Sequence, residues 1–139
     1  MYAMDLLKRY KRNDDLIAHG AKLDLGGGAY VLLARMHESN PQFKTVTESL
    51  SRQRQHELDN LKGRAKTDVY GDIAEEAFAQ VCITKVAGIT INGEAIAADA
   101  IGIARMRSET PEFWQDMMAF AMDKTNYVGS FDEDASVKN

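Results

Sequence analysis

His19, His37, His56 and Cys82 are the side chains of this sequence best suited to ligate a metal or to attack an electrophile. Their positions argue against both. A zinc site needs ligands that converge, and the sequence has no HxxxH pair and no histidine spaced to join the cysteine. The three histidines therefore read as surface residues, and no metal is expected. Cys82, the single cysteine, stands in the apolar run AFAQVCI. A nucleophilic thiol needs an electropositive, partly open setting and a base, whereas an apolar stripe makes it a small core residue. No serine occupies a GxSxG turn.

Gly26-Gly27-Gly28 invites a phosphate, but a phosphate loop runs from a strand into a helix and carries a lysine followed by serine or threonine. Here the glycines lead into a second run of β-formers, so they read as a turn. Among the carboxylates, Asp14-Asp15 and Glu75-Glu76 are sequence neighbours and would point about 100° apart on a helix. Asp72 and Glu76 share a helix face, and an exposed acidic face is the ordinary reading of that spacing. Neither a catalytic set nor a cofactor is expected.

Composition narrows the class further. A chain of 139 residues fits one domain, and 45% hydrophobic with 27% charged residues is ordinary for a globular protein. We expect a single globular domain over 1–128 and an acidic, aperiodic tail over 129–139. The net charge of −4 argues against a nucleic-acid partner, and the basic cluster Lys8, Arg9, Lys11 and Arg12 is followed at once by Asp14 and Asp15. No apolar run approaches the length of a membrane helix, and the first residues lack the apolar core of a signal peptide. The expected location is the cytoplasm.

The elements that must position these residues have local signals. Leu6, Leu7, Tyr10, Ile17 and Ala18 lie among charges, which predicts an amphipathic helix from about Met4 to Ala18, ended by Gly20. Leu23 and Leu25 alternate with polar residues before the glycine triplet, and Tyr30 to Arg35 follows, giving a hairpin near 21–35. Asn40-Pro41 opens a helix, with Phe43, Val46, Leu50, Leu58 and Leu61 at helical spacing as far as Gly63. Its middle, SRQRQHE, is strongly polar. Thr67 or Asp68 starts the next helix, whose stripe runs from Val69 to Cys82, with Gly88 as its stop. Asn92-Gly93 predicts a second hairpin near 89–97. One helix then runs from Ala98 or Asp99 through Arg107, and a last one from Phe113 to about Tyr127. The expected fold class is mainly α with short β-hairpins, an α+β chain of four to five helices.

What remains is apolar surface. Phe113, Trp114, Met117, Met118 and Met122 point in almost every direction around the last helix, and methionine suits an adaptable contact. With Arg107 they form the expected partner-binding set, because Trp and Arg often anchor interfaces. Arg52 and Arg54, on the polar helix, are the expected secondary surface.

In order along residues 18–127, these pieces resemble the tail assembly chaperones of long-tailed bacteriophages and related prophages. The resemblance rests on the hairpin AKLDLGGGAYVLLARM and on NPQF before a charged helix. It continues in EEAFAQVCITKVAGITINGEAI, similar to an Ala-rich helix, an apolar strand and a Gly-Glu turn. It closes on PEFWQDMMAFAMDKTNYV, similar to the family's last helix with its early aromatic pair and a final Asn-aromatic. The family usually has Trp just before the Gly of the apolar strand, where this chain has Val86-Ala87-Gly88. The resemblance implies a non-enzymatic protein of the host cell cytoplasm, not expected to remain in the mature virion. Such a protein binds the tape measure protein and helps recruit tail tube subunits, as client complexes or homo-oligomers. The other expectation, from a different class, is a small phage-encoded regulator or inhibitor of a host protein or nucleic-acid complex. It would act through Arg52 and Arg54 or through Lys8 to Arg12.

Overall fold

The computed structural model describes residues 3–6 and 11–129. Lys8 and Arg9 of the basic cluster, and residues 130–139 of the expected acidic tail, lie outside the described residues.

Lys11–Arg12 form strand β1, and helix α1 (Asp14–His19) follows. Asn13 fixes the start of α1 by accepting from the Leu16 N–H at 3.1 Å, which satisfies one of the donors a helix leaves free. The helix expected over Met4–Ala18 is thereby corrected. Residues 11–12 are extended because the far end of the chain offers them a ladder partner, and the good N-cap lies at Asn13.

The glycine triplet makes the expected hairpin of β2 (Ala21–Gly26) and β3 (Ala29–Leu33), with Gly27 and Gly28 both in the left-handed region. Asn40 caps helix α2 (Pro41–Gln53) by accepting from the Gln42 N–H, while its own Nδ2 donates to the Arg35 carbonyl. The long helix expected as far as Gly63 breaks at Arg54, and a short helix α3 (Gln55–Asp59) follows. Gly63 opens helix α4 (Gly63–Val81) rather than ending the previous one. That helix stops at Val81, well before Gly88, because Ile83–Ala87 form strand β4 against β3. Asn92 and Gly93, both at positive φ, then turn β5 (Thr90–Ile91) into β6 (Glu94–Ala95) as expected. Asp99 caps α5 (Ala100–Glu109) through the Gly102 N–H at 2.7 Å. The last helix, α6 (Pro111–Met122), is shorter than expected, and Lys124–Tyr127 form a separate 3₁₀ turn begun by an Asp123 cap. Strand β7 (Val128–Gly129) pairs with β1 and ties the two ends of the described chain together.

The architecture is therefore α+β, as expected. The sheet has the order β2-β3-β4, antiparallel throughout. Period-two alternation sends Val31, Leu33 and Ile83 to the helix side and leaves Lys22, Asp24, Tyr30 and Lys85 on the outer side. The main core joins that inner face to Phe78 and Ala77 of α4, Met106 of α5 and Trp114, Met117, Met118 and Ala121 of α6. A second cluster holds Ile17, Ala21 and Tyr127, and the Tyr127 hydroxyl donates to the Leu33 carbonyl at 2.7 Å. A third, of Leu58, Val69 and Ile73, fastens α3 to α4.

Candidate functional site

The expected partner set is dispersed by burial. Trp114, Met117 and Met118 are 2%, 0% and 7% exposed, so they belong to the core and present no surface. The reason is geometric. The inner face of α6 packs against the sheet and helices α4 and α5, and Phe120 packs against Tyr127. The helix buries one face, carrying Trp114, Met117, Met118 and Ala121, and leaves Glu112, Gln115, Asp116, Ala119 and Met122 to solvent. Phe113 is half-buried, and Met122 alone of the set stands out, at 57% exposed.

Arg107, expected as an anchor for a partner, is an internal tie. Its Nε donates to Glu75 Oε2 at 2.9 Å and its Nη1 to Glu76 Oε2 at 3.1 Å. Trp114 Nε1 donates to the same Glu75 oxygen at 3.1 Å, and the guanidinium lies 5.6 Å from the Trp114 ring centre. Partial desolvation pulls the Arg107 pKa down, but the hydrogen bonds and charges of Glu76 and Glu75 outweigh it and raise it. The cluster joins α4, α5 and α6 at one point. On the secondary surface, Arg52 is exposed, whereas Arg54 is held by Glu57 through two bonds of 2.8 Å.

Cys82 is fully buried, with its Sγ 3.9 Å from the Arg35 carbonyl, and burial pushes the thiol up to about 12. His19, His37 and His56 are all exposed, and among the described residues no three histidine, cysteine or acidic side chains gather to hold a metal. The raised thiol makes a stability prediction. Its folded pKa exceeds the unfolded value of 9.0, so the unfolded chain loses this proton first and stability falls as pH rises above about 9. Between pH 8 and pH 10.5 the stability advantage of wild type over Cys82→Ala is expected to shrink by about 2 kcal/mol in urea unfolding. A pH-independent difference would show that the thiol is not held protonated.

What sequence reasoning missed is a groove between α4 and α5. It has a volume of about 670 Å³ and is open along its length. Ala79 and Ile83 form one apolar wall, Ala100, Ile103 and Ala104 the other, and Asp99 and the Glu76–Arg107 ion pair also line it, so that Arg107 is the member of the expected partner set that borders the groove. The one available signal was the run of small residues AIAADAIGIA, which looks like ordinary helix filler until α4 is placed opposite it. Ile101, one turn from Ala104 on the outward side of α5, is 74% exposed.

No family model matches the chain, and neither a curated protein nor a solved structure matches it. Among the described residues no helix is long and apolar enough to cross a membrane.

Proposed function

We propose that this chain is a non-enzymatic tail assembly chaperone of a long-tailed bacteriophage or prophage, which binds the tape measure protein and helps recruit tail tube subunits. The observation that carries the binding part is the open groove between α4 and α5. Alanines on its walls let a helical client approach closely, and the neighbouring Ile101 extends the apolar contact. The order of hairpin, capped helix, Ala-rich helix entering a strand, Asn-Gly turn and closing helix supports the choice of this family's client. The proposed client surface is accordingly the groove, and the closing helix supports it from inside.

Co-expression with the tape measure protein tests the reading. Wild type is expected to keep the client soluble and to co-purify with it. Ala104→Glu, on an exposed groove position, is expected to lower the co-purified client about ten-fold with helical content unchanged. Undiminished capture by the folded variant would remove the groove from the mechanism. Failure of folded wild type to hold any tape measure segment would overturn the functional reading itself.

A further inference from the structure

Residues 52–66 carry Arg52, Arg54, Lys62, Arg64 and Lys66 against only Glu57 and Asp59, a net charge of +3 in a chain of net −4. The fold gathers these residues at one end of a helical hairpin. Leu50 and Leu61 pack with Leu58, Val69 and Ile73, so the last turn of α2, all of α3 and the first turn of α4 lie together at that end. Elsewhere cations meet carboxylates: Arg12 meets Asp14, Arg105 meets Glu94 and Glu109, and Arg107 meets Glu75 and Glu76. Within the tip, Glu57 neutralises Arg54. Among the described residues, Arg52, Lys62, Arg64 and Lys66 have no ion-pair partner. Lys66 is half-buried, and the other three are exposed.

These positions are unfavourable for the fold itself. Lys62, Arg64 and Lys66 surround the start of α4, where the positive end of the helix dipole favours acidic side chains and disfavours cations. The first turn of α4 holds no acid, and no side chain caps its free amides. By contrast, α1 and α5 begin on the Asn13 and Asp99 caps. Unpaired cations standing where local rules ask for carboxylates need a gain from elsewhere, and a partner supplies one. We propose that this tip docks an acidic segment of a partner protein through Arg52, Lys62, Arg64 and Lys66.

The chemistry favours a short run of carboxylates over a nucleic acid. With +3 at the tip, the remaining residues carry −7, and an exposed charge is felt over only about 8 Å at physiological ionic strength. A long polyanion would run on from the tip over residues of net negative charge, whereas a short acidic segment ends within the patch. Residues 52–66 also contain no Phe, Tyr or Trp on which a base could stack. The tip is separate from the groove. Lys66 and Glu76 are ten residues apart on α4, about 15 Å along its axis. The docking of an acidic segment therefore does not depend on the client proposed for the groove.

Fluorescence anisotropy of the full chain with a labelled octaglutamate peptide tests it, with an oligothymidylate of equal length as the competing probe. Wild type is expected to bind the peptide more tightly than the oligonucleotide, with affinity falling steeply as salt rises. Lys62→Glu/Arg64→Glu is expected to weaken peptide binding about ten-fold. Acidic residues suit a helix start, so this variant is expected to melt no lower than wild type, which separates lost binding from lost folding. Lys44→Glu/Lys124→Glu makes the same change in net charge at exposed positions outside the tip, and is expected to bind as wild type does. Lys62→Arg/Arg64→Lys keeps both charges and is expected to retain binding. Tighter binding of the oligonucleotide overturns the choice of an acidic protein segment. Absence of peptide binding by wild type, or equal losses in the two charge-reversed variants, overturns the tip as a docking surface.

Discussion

Replacing Trp114 with alanine is expected to destabilise the fold by about 4 kcal/mol, the upper range for a buried aromatic. Three elements meet on this side chain. Its ring packs edge-on against Phe78 of α4 at 5.2 Å, its face receives the Arg107 guanidinium, and its Nε1 donates to Glu75. Truncation opens a cavity in the main core and leaves Glu75 and Arg107 without the wall they rest on. Trp114→Phe keeps the ring and loses the donor, so it is expected to lose only about 1–2 kcal/mol. Chemical unfolding followed by circular dichroism checks both, since the substitution removes the chain's only tryptophan. A loss below about 1 kcal/mol in the alanine variant would mean that α4, α5 and α6 are held together elsewhere.

Gly102→Ala is expected to destabilise by about 2 kcal/mol, although glycine to alanine inside a helix ordinarily stabilises by about 1. Gly102 is buried in the first turn of α5, where an added Cβ would collide with the Ala97 carbonyl oxygen and press on Ile96 Cγ2 at 3.1 Å. The obstruction is backbone, so it cannot swing away. The segment from β6 into α5 must shift, and with it the Asp99 cap that accepts from the Gly102 N–H. Gly71, on the exposed side of α4, supplies the contrast, because nothing lies within 4 Å of an added Cβ there. Gly71→Ala is expected to raise stability by about 0.5–1 kcal/mol. Thermal or urea unfolding of the pair reads opposite signs from the same substitution, and equal signs would refute the close approach at Gly102.

The elements that could be read from sequence are those whose signals are local. The glycine triplet and Asn92-Gly93 set their hairpins, and Asn40-Pro41 and Asp99 start their helices, because caps and turns act within four residues. Boundaries fixed by distant partners were not visible. Ile83–Ala87 continues the apolar stripe of α4 without a break, and only the open edge of β3 makes it a strand. Lys11–Arg12 read as helix until Val128–Gly129 is found beside them. The site suffered most from this. The broad apolar face of α6 has the same sequence whether it meets a partner or packs inside its own chain, and the elements packed on it decide which. Arg107 likewise looks the same from sequence whether its carboxylates belong to another molecule or to Glu75 and Glu76.

The path by which β4 reaches the sheet also sets an order of events in folding. β3 meets β2 across two glycines, but it meets β4 only after residues 34–82, with three helices among them, have been brought back. Closing so long a segment carries more entropy than closing a hairpin, and such distant contacts form late. In refolding, the amides of the β2–β3 hairpin should gain hydrogen-exchange protection before those of β4. Until β4 arrives, the second edge of β3 stands open, and a β4 from a neighbouring chain fits it as well as its own. Domain swapping during concentrated refolding is the hazard that this topology carries.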